Sequence, residues 1–96
     1  MTAIPDDQPN LAQVEYWNAA AGETWARLQD QLDRQLASLG LEAMRALDAT
    51  PGECLIDVGC GCGQTTLELA RRVGSDGAVL GVDISQPMLE GARRRA

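Results

Sequence analysis

Along the first half of the chain, apolar residues recur at helical intervals. From Leu11 to about Leu28 the pattern is that of a helix, with Gly22 weakening its middle and predicted to split it in two. Leu28, Leu32, Leu36 and Leu39 then fall at i, i+4, i+8 and i+11, which is one face of a second helix. Gly40 interrupts that pattern, and Leu41, Met44 and Leu47 resume it at i, i+3 and i+6. The helix is expected to stop near Ala49, because Thr50 precedes Pro51 and a residue before proline is pushed out of the α region. Residues 1–10, with Pro5, Pro9 and two aspartates, offer little to bury and read as a loose leader.

Behind the Pro51-Gly52 turn signal the period changes. Residues 54–58, CLIDV, form a short bounded apolar run, expected of a strand buried on both faces of a parallel sheet. A helix follows, with Leu67, Ala70 and Val73 on its inner face and Gly74 as its C-cap, and Asp76-Gly77 makes a turn. AVLGVD is a second strand of the same type. A last helix opens with Ser85 as N-cap and Pro87 in its first turn. The order β, α, β, α calls for an α/β fold with a parallel sheet. Two strands cannot shield both faces of such a sheet, and doubly wound sheets usually have five or more. The expectation is an incomplete parallel sheet at residues 51–96, the first half of a larger domain, preceded at residues 1–50 by a leader and helical cap.

Composition narrows the function classes. An apolar fraction of 45% and a charged fraction of 23% are those of a folded globular segment. The net charge of −6 is uneven: residues 1–53 hold nine acids against three arginines, whereas residues 54–96 hold five of each. An acidic chain argues against duplex nucleic acid or an anionic membrane as partner. Arg93, Arg94 and Arg95 read as a solvated last helical turn. Three cysteines and no histidine suit neither a disulfide framework nor a four-ligand zinc site, and a reducing cytoplasm fits better. No signal-peptide pattern and no apolar run of membrane-spanning length occurs, so membrane attachment is not expected.

The chemistry concentrates where the first strand meets the helix that follows it, in D-x-G-x-G-x-G. Gly59, Gly61 and Gly63 permit positive φ and let backbone lie against a ligand, and the helix behind them presents unpaired N–H groups. Asp83, twenty residues after Gly63 at the end of the second strand, is positioned to accept hydrogen bonds from ribose hydroxyls. The dinucleotide fingerprint G-x-G-x-x-G fails in both registers, with Gln64 or Thr66 at its sixth position. Asp57 is awkward beside a pyrophosphate and useful beside an ammonium group.

At these residues, LIDVGCGCG followed by GVDIS resembles motif I and the second-strand acid of the class I S-adenosylmethionine-dependent methyltransferases. The upstream YWNAAAGETWARL resembles the leader helix of bacterial small-molecule members. The resemblance implies a seven-stranded Rossmann-like sheet, of which this chain would hold the first β-α-β-α and the cap. It implies S-adenosyl-L-methionine as cofactor and a small-molecule methyl acceptor. Gly59, Cys60, Gly61 and Gly63 would lie under the methionine part, and Asp57 would face its ammonium. Asp83 would hold the ribose, with Ile84 and Met88 near the adenine and Trp25 over the cofactor. No catalytic residue is identified by it, and these residues alone are expected to be inactive.

Plainer readings stand beside these. Asp57 could simply fasten the loop, and Tyr16, Trp17 and Trp25 could anchor the leader helix rather than cover a ligand. Cys60 and Cys62 read as small fillers between glycines, and Cys54 as a buried strand residue. The alternatives for the whole are a nicotinamide-dependent oxidoreductase fragment, or a non-catalytic truncated product that associates through an unpaired sheet edge.

Overall fold

The computed structural model describes residues 9–96, so most of the leader lies outside the described residues. Five helices and two strands follow in the order α1 (Leu11–Asn18), α2 (Ala20–Arg27), α3 (Gln29–Leu47), β1 (Cys54–Val58), α4 (Gln64–Val73), β2 (Ala78–Val82) and α5 (Gln86–Arg95). β1 and β2 pair in parallel, with Cys54 opposite Ala78 and Val58 opposite Val82. The α/β class, the parallel pairing and the helical cap are as the sequence pattern requires, and the result is an incomplete Rossmann-like sheet.

α4 is the crossover that makes parallel pairing reachable, and it packs on one side of the sheet through Leu69 and Val73, which are 4% and 1% exposed. Burying each such side chain stabilises the fold by about 1.5–3 kcal/mol. Ala70, expected on the inner face, is exposed instead, and Leu69 takes its place. Gly77 lies where a Cβ would press on the Glu53 carbonyl and on Val73, so the start of β2 can come this close only without a side chain. The Val73 carbonyl also accepts from Gly52 N at 2.8 Å, fastening the turn before β1 to the end of α4. At that turn the Glu53 carboxylate accepts from the backbone N–H and hydroxyl of Thr50, which hold its pKa below the ordinary value. Gly74 caps α4 with φ 71°, as expected.

The opposite face of the sheet is open. Ile56 and Val58 are 66% and 81% exposed, and Leu80 across from Ile56 is also exposed. The expectation of strands buried on both faces is therefore not met: Leu55, Asp57, Val79 and Gly81 on the α4 side are half-buried, and no described element packs on the other face. Cys54 points to that open face and is exposed, not buried.

The helical half departs from the pattern in three places. The first segment divides at Ala19 rather than at Gly22, and Gly22 sits buried inside α2. Its reason is packing: a Cβ there would overlap the Trp17 carbonyl and crowd Ser85 Oγ. Gly40 does not interrupt α3, which runs through nineteen residues, because the cost of about 1 kcal/mol for a helical glycine is small beside continuous helix bonding. α3 ends two residues earlier than Ala49, where Asp48 turns left-handed at φ 52°.

α5 is held down at both ends. Ser85 caps it, accepting from Met88 N, with Pro87 in the first turn. At the other end Arg95 is not solvated as expected: its guanidinium donates to the Cys62 carbonyl and pairs with Asp30 and Asp33 of α3. Its side chain is 21% exposed, so this triad ties the last helix to the cap.

Candidate cofactor-binding site

The site grows from the C-terminal ends of the two strands. Gly59, Gly61 and Gly63 have φ values of 75°, 55° and 85°, conformations a side chain would strain. Those conformations fold the turn over the end of β2. Gly59 N and Cys60 N both donate to the Val82 carbonyl, at 2.8 and 3.0 Å, and Gly61 N donates to Asp83 Oδ2 at 2.8 Å. The other oxygen of Asp83 accepts from Ser85 N at 2.9 Å. The carboxylate is thus fixed by two backbone amides, and each oxygen keeps a second acceptor direction.

Beside it lies a cleft of about 550 Å³ lined by Gly59, Gly61, Asp83, Ile84, Met88 and Trp25, all candidates from the sequence, together with Trp17, Val58 and Val82. This is within the 300–1,000 Å³ usual for small-molecule sites, and among the described residues Asp83 is the one charged group in the lining. A Cβ on Gly59 would meet nothing within 4 Å, whereas one on Gly61 would touch the Met88 methyl. The absence of side chains keeps the cleft floor flat.

Three candidates sit apart from this cleft. Asp57 Oδ2 accepts from the Thr66 hydroxyl at 2.7 Å, across the joint between β1 and α4. Cys60 turns its sulfur toward Gly81, and Gly63 faces Ala92 of α5; both line a separate hollow between α4, β2 and α5. Burial, and after it the charges of Asp83 and Asp57, push the Cys60 thiol up, and burial does the same to Cys62. Both are neutral thiols, poor metal ligands and poor nucleophiles. Among the described residues no group of three or more cysteines, aspartates and glutamates is gathered to hold a metal.

Aromatic residues close one side. Trp17 and Trp25 meet edge to face at 5.8 Å between ring centroids, and Tyr16 meets Trp17 at 5.1 Å. Both tryptophans line the cleft and Tyr16 does not. The sequence reading singled out Trp25 and missed Trp17 as a lining residue. The pattern marks Ser85 only as a helix cap and does not mark Asn18; their hydrogen bonds seat α1 on the β2–α5 link. Nothing in the pattern marks Asn18, because the two partners that seat it on the sheet, Ile84 and Gln86, lie more than sixty residues away.

Comparison with known proteins agrees with this geometry. Residues 55–96 match the family model described as methyltransferase domain. Over 94 residues the chain is 39% identical to an uncharacterized 37.1 kDa protein in transposon TN4556 of Streptomyces fradiae, covering 98% of this chain and 23% of that protein. It is 46% identical over 77 residues to a 2-phytyl-1,4-naphtoquinone methyltransferase of Trichormus variabilis, covering 74% and 33%. To a magnesium-protoporphyrin O-methyltransferase of Rhodobacter capsulatus it is 38% identical over 105 residues, covering 96% and 46%. The chain therefore spans about a quarter to a half of the length of these relatives. No solved structure gave a match. Among the described residues no helix is long and apolar enough to cross a membrane. With the glycine turn, Asp83 and the parallel β-α-β unit in place, residues 55–96 match a methyltransferase domain, and the chain resembles the N-terminal part of the class I S-adenosylmethionine-dependent methyltransferases.

Proposed function

We propose that residues 51–96 form the donor-binding part of an enzyme that transfers a methyl group from S-adenosyl-L-methionine to a small molecule in a cytoplasmic setting, with residues 1–50 as its cap. The observation that carries this reading is the clamp of Asp83 between Gly61 N and Ser85 N at the mouth of the cleft. An acid held there, with acceptor directions free, suits a ribose diol.

The other groups fit the same cofactor. Ile84, Met88 and the two tryptophans offer flat apolar walls to an adenine, and Gly59 and Gly61 offer a floor without side chains. Asp57 and Asp83 make the strand ends negative, which favours an ammonium and a sulfonium and opposes a pyrophosphate. Thr66 orients the Asp57 carboxylate, and that loop-fastening bond is compatible with an ammonium on the remaining acceptor positions. Cys60 and Gly63 contribute backbone and close packing rather than side-chain contacts.

When bound, the cofactor supplies an activated methyl group and its own leaving group. The residues of this chain bind, orient and exclude water, and alignment of that kind is a large part of the acceleration of a bimolecular transfer. The methyl acceptor is a small organic molecule. The activities for which two of the relatives are named, on a naphthoquinone and a porphyrin, support that class.

A thermal-shift competition tests this reading. S-adenosylhomocysteine and S-adenosylmethionine are expected to raise the melting temperature and NAD to leave it unchanged. Protection by NAD alone would reject it in favour of a nicotinamide enzyme.

A further inference from the structure

Resting on the donor-site reading above, we propose that Asn18 is a positioning residue that sets the ribose-binding carboxylate of Asp83 from the cap. The carboxamide of Asn18 is engaged on both sides. Nδ2 donates to the Val14 carbonyl at 2.7 Å and to the Ile84 carbonyl at 2.6 Å, and Oδ1 accepts from Gln86 N at 2.8 Å. Two of these three bonds grip the residues on either side of Ser85. Ser85 itself is fully buried and donates its hydroxyl to the Trp17 carbonyl at 2.6 Å. Its backbone N–H is one of the two amides that hold Asp83. The end of α1 therefore fixes the peptide that fixes the acid.

The chemistry requires a carboxamide. An aspartate at position 18 would keep the acceptor for Gln86 N–H and set an oxygen against the Ile84 carbonyl, and an alanine would keep nothing. Loss of the grip on Ile84 and Gln86 leaves Ser85 N–H free to drift, so Asp83 stays tied at Oδ2 alone and its carboxylate can rotate. A vicinal diol is recognised best by a carboxylate whose two oxygens are both set, so the ribose hydroxyls are the part of the ligand that registers the change. Trp17 and Asn18 are neighbours on α1, so the bonds that seat an aromatic wall on the cleft are the same bonds that align its acid.

The test compares S-adenosylhomocysteine with its deoxyribose counterpart, by calorimetry, on the wild-type chain and on Asn18→Ala. Wild type is expected to prefer the ribose form by about tenfold, the worth of hydrogen bonds to a charged acceptor. Asn18→Ala is expected to lose about five- to tenfold for the ribose form and less than about twofold for the deoxy form, the non-additivity of groups that act together. Equal losses for both ligands would show a merely structural role and overturn the proposal while leaving the donor site intact. Failure of the wild-type chain to bind either ligand would overturn the donor-site reading, and this one with it. Should Asn18→Ala fold poorly by circular dichroism, Asn18→Asp carries the same comparison, and wild-type discrimination by that variant would overturn the proposal.

Discussion

The two sides of the sheet differ in how completely they are built. On the α4 side, and at the strand ends, polar groups are paired and side chains are buried: Asp83 has two amide partners, Ser85 is fully enclosed, and Leu69 and Val73 are nearly so. On the other side Ile56 and Leu80 present an apolar surface that no described element covers. A ligand site of this kind is local, made by one β-α-β unit and the helices seated on it. A sheet core is not local, and its second face is left uncovered by the described elements. The site and the core are thus separable, which leads to a graded set of expected outcomes.

The largest effect is expected at the seam between cap and sheet. Gly22→Ala forces a methyl group into the Trp17 carbonyl and Ser85 Oγ, and overpacking against backbone should cost about 3 kcal/mol in urea denaturation. The near-ultraviolet circular dichroism of the two tryptophans should weaken with it. Asp83→Asn comes next. It keeps the shape and loses the charge that both amides and the ribose use, and affinity for S-adenosylhomocysteine should fall about ten- to a hundredfold by calorimetry.

Cysteine alkylation then reads the two faces directly. Cys54 on the open face should react with iodoacetamide at pH 8 about tenfold faster than Cys60 or Cys62, whose thiols are held protonated by burial. The sign is fixed by the upward shifts: raising the pH should narrow the gap, because the thiolate fractions of Cys60 and Cys62 grow last. The smallest effect belongs to Ile56→Thr combined with Leu80→Thr. Dye binding to exposed apolar surface should drop, while donor affinity should change by less than about twofold, as for substitutions that touch no site residue.

Much of the second half was legible from residues 51 to 96, because each element there carries its own local punctuation. Ser85 caps, Gly74 stops and the glycines between Val58 and Gln64 turn, and each signal acts within a few residues of itself. The helical half was read less well. The pattern marks Gly22 as a helix breaker, but its lack of a side chain makes room for the Trp17 carbonyl and for Ser85, and Ser85 lies too far along the chain to leave a mark in a local pattern. Arg95 was placed in solvent for the same reason, since its partners Asp30 and Asp33 lie on another helix. In the site itself Gly59, Gly61, Asp83, Ile84, Met88 and Trp25 meet at one cleft. The seat that holds that cleft, Asn18 with Ser85 and Gly22, became visible only in three dimensions.

The most direct test of the donor site is a titration of isotope-labelled chain with S-adenosylhomocysteine, followed in the proton–nitrogen correlation spectrum. The account predicts that the amides of Gly59, Gly61, Asp83, Ile84 and Ser85 and the indole signals of Trp17 and Trp25 move together with one dissociation constant, while the amides of Gly40, Leu41 and Arg71 stay in place. Shifts gathered instead around Gly40, Leu41 and Arg71, or no shifts at saturating ligand, would contradict it.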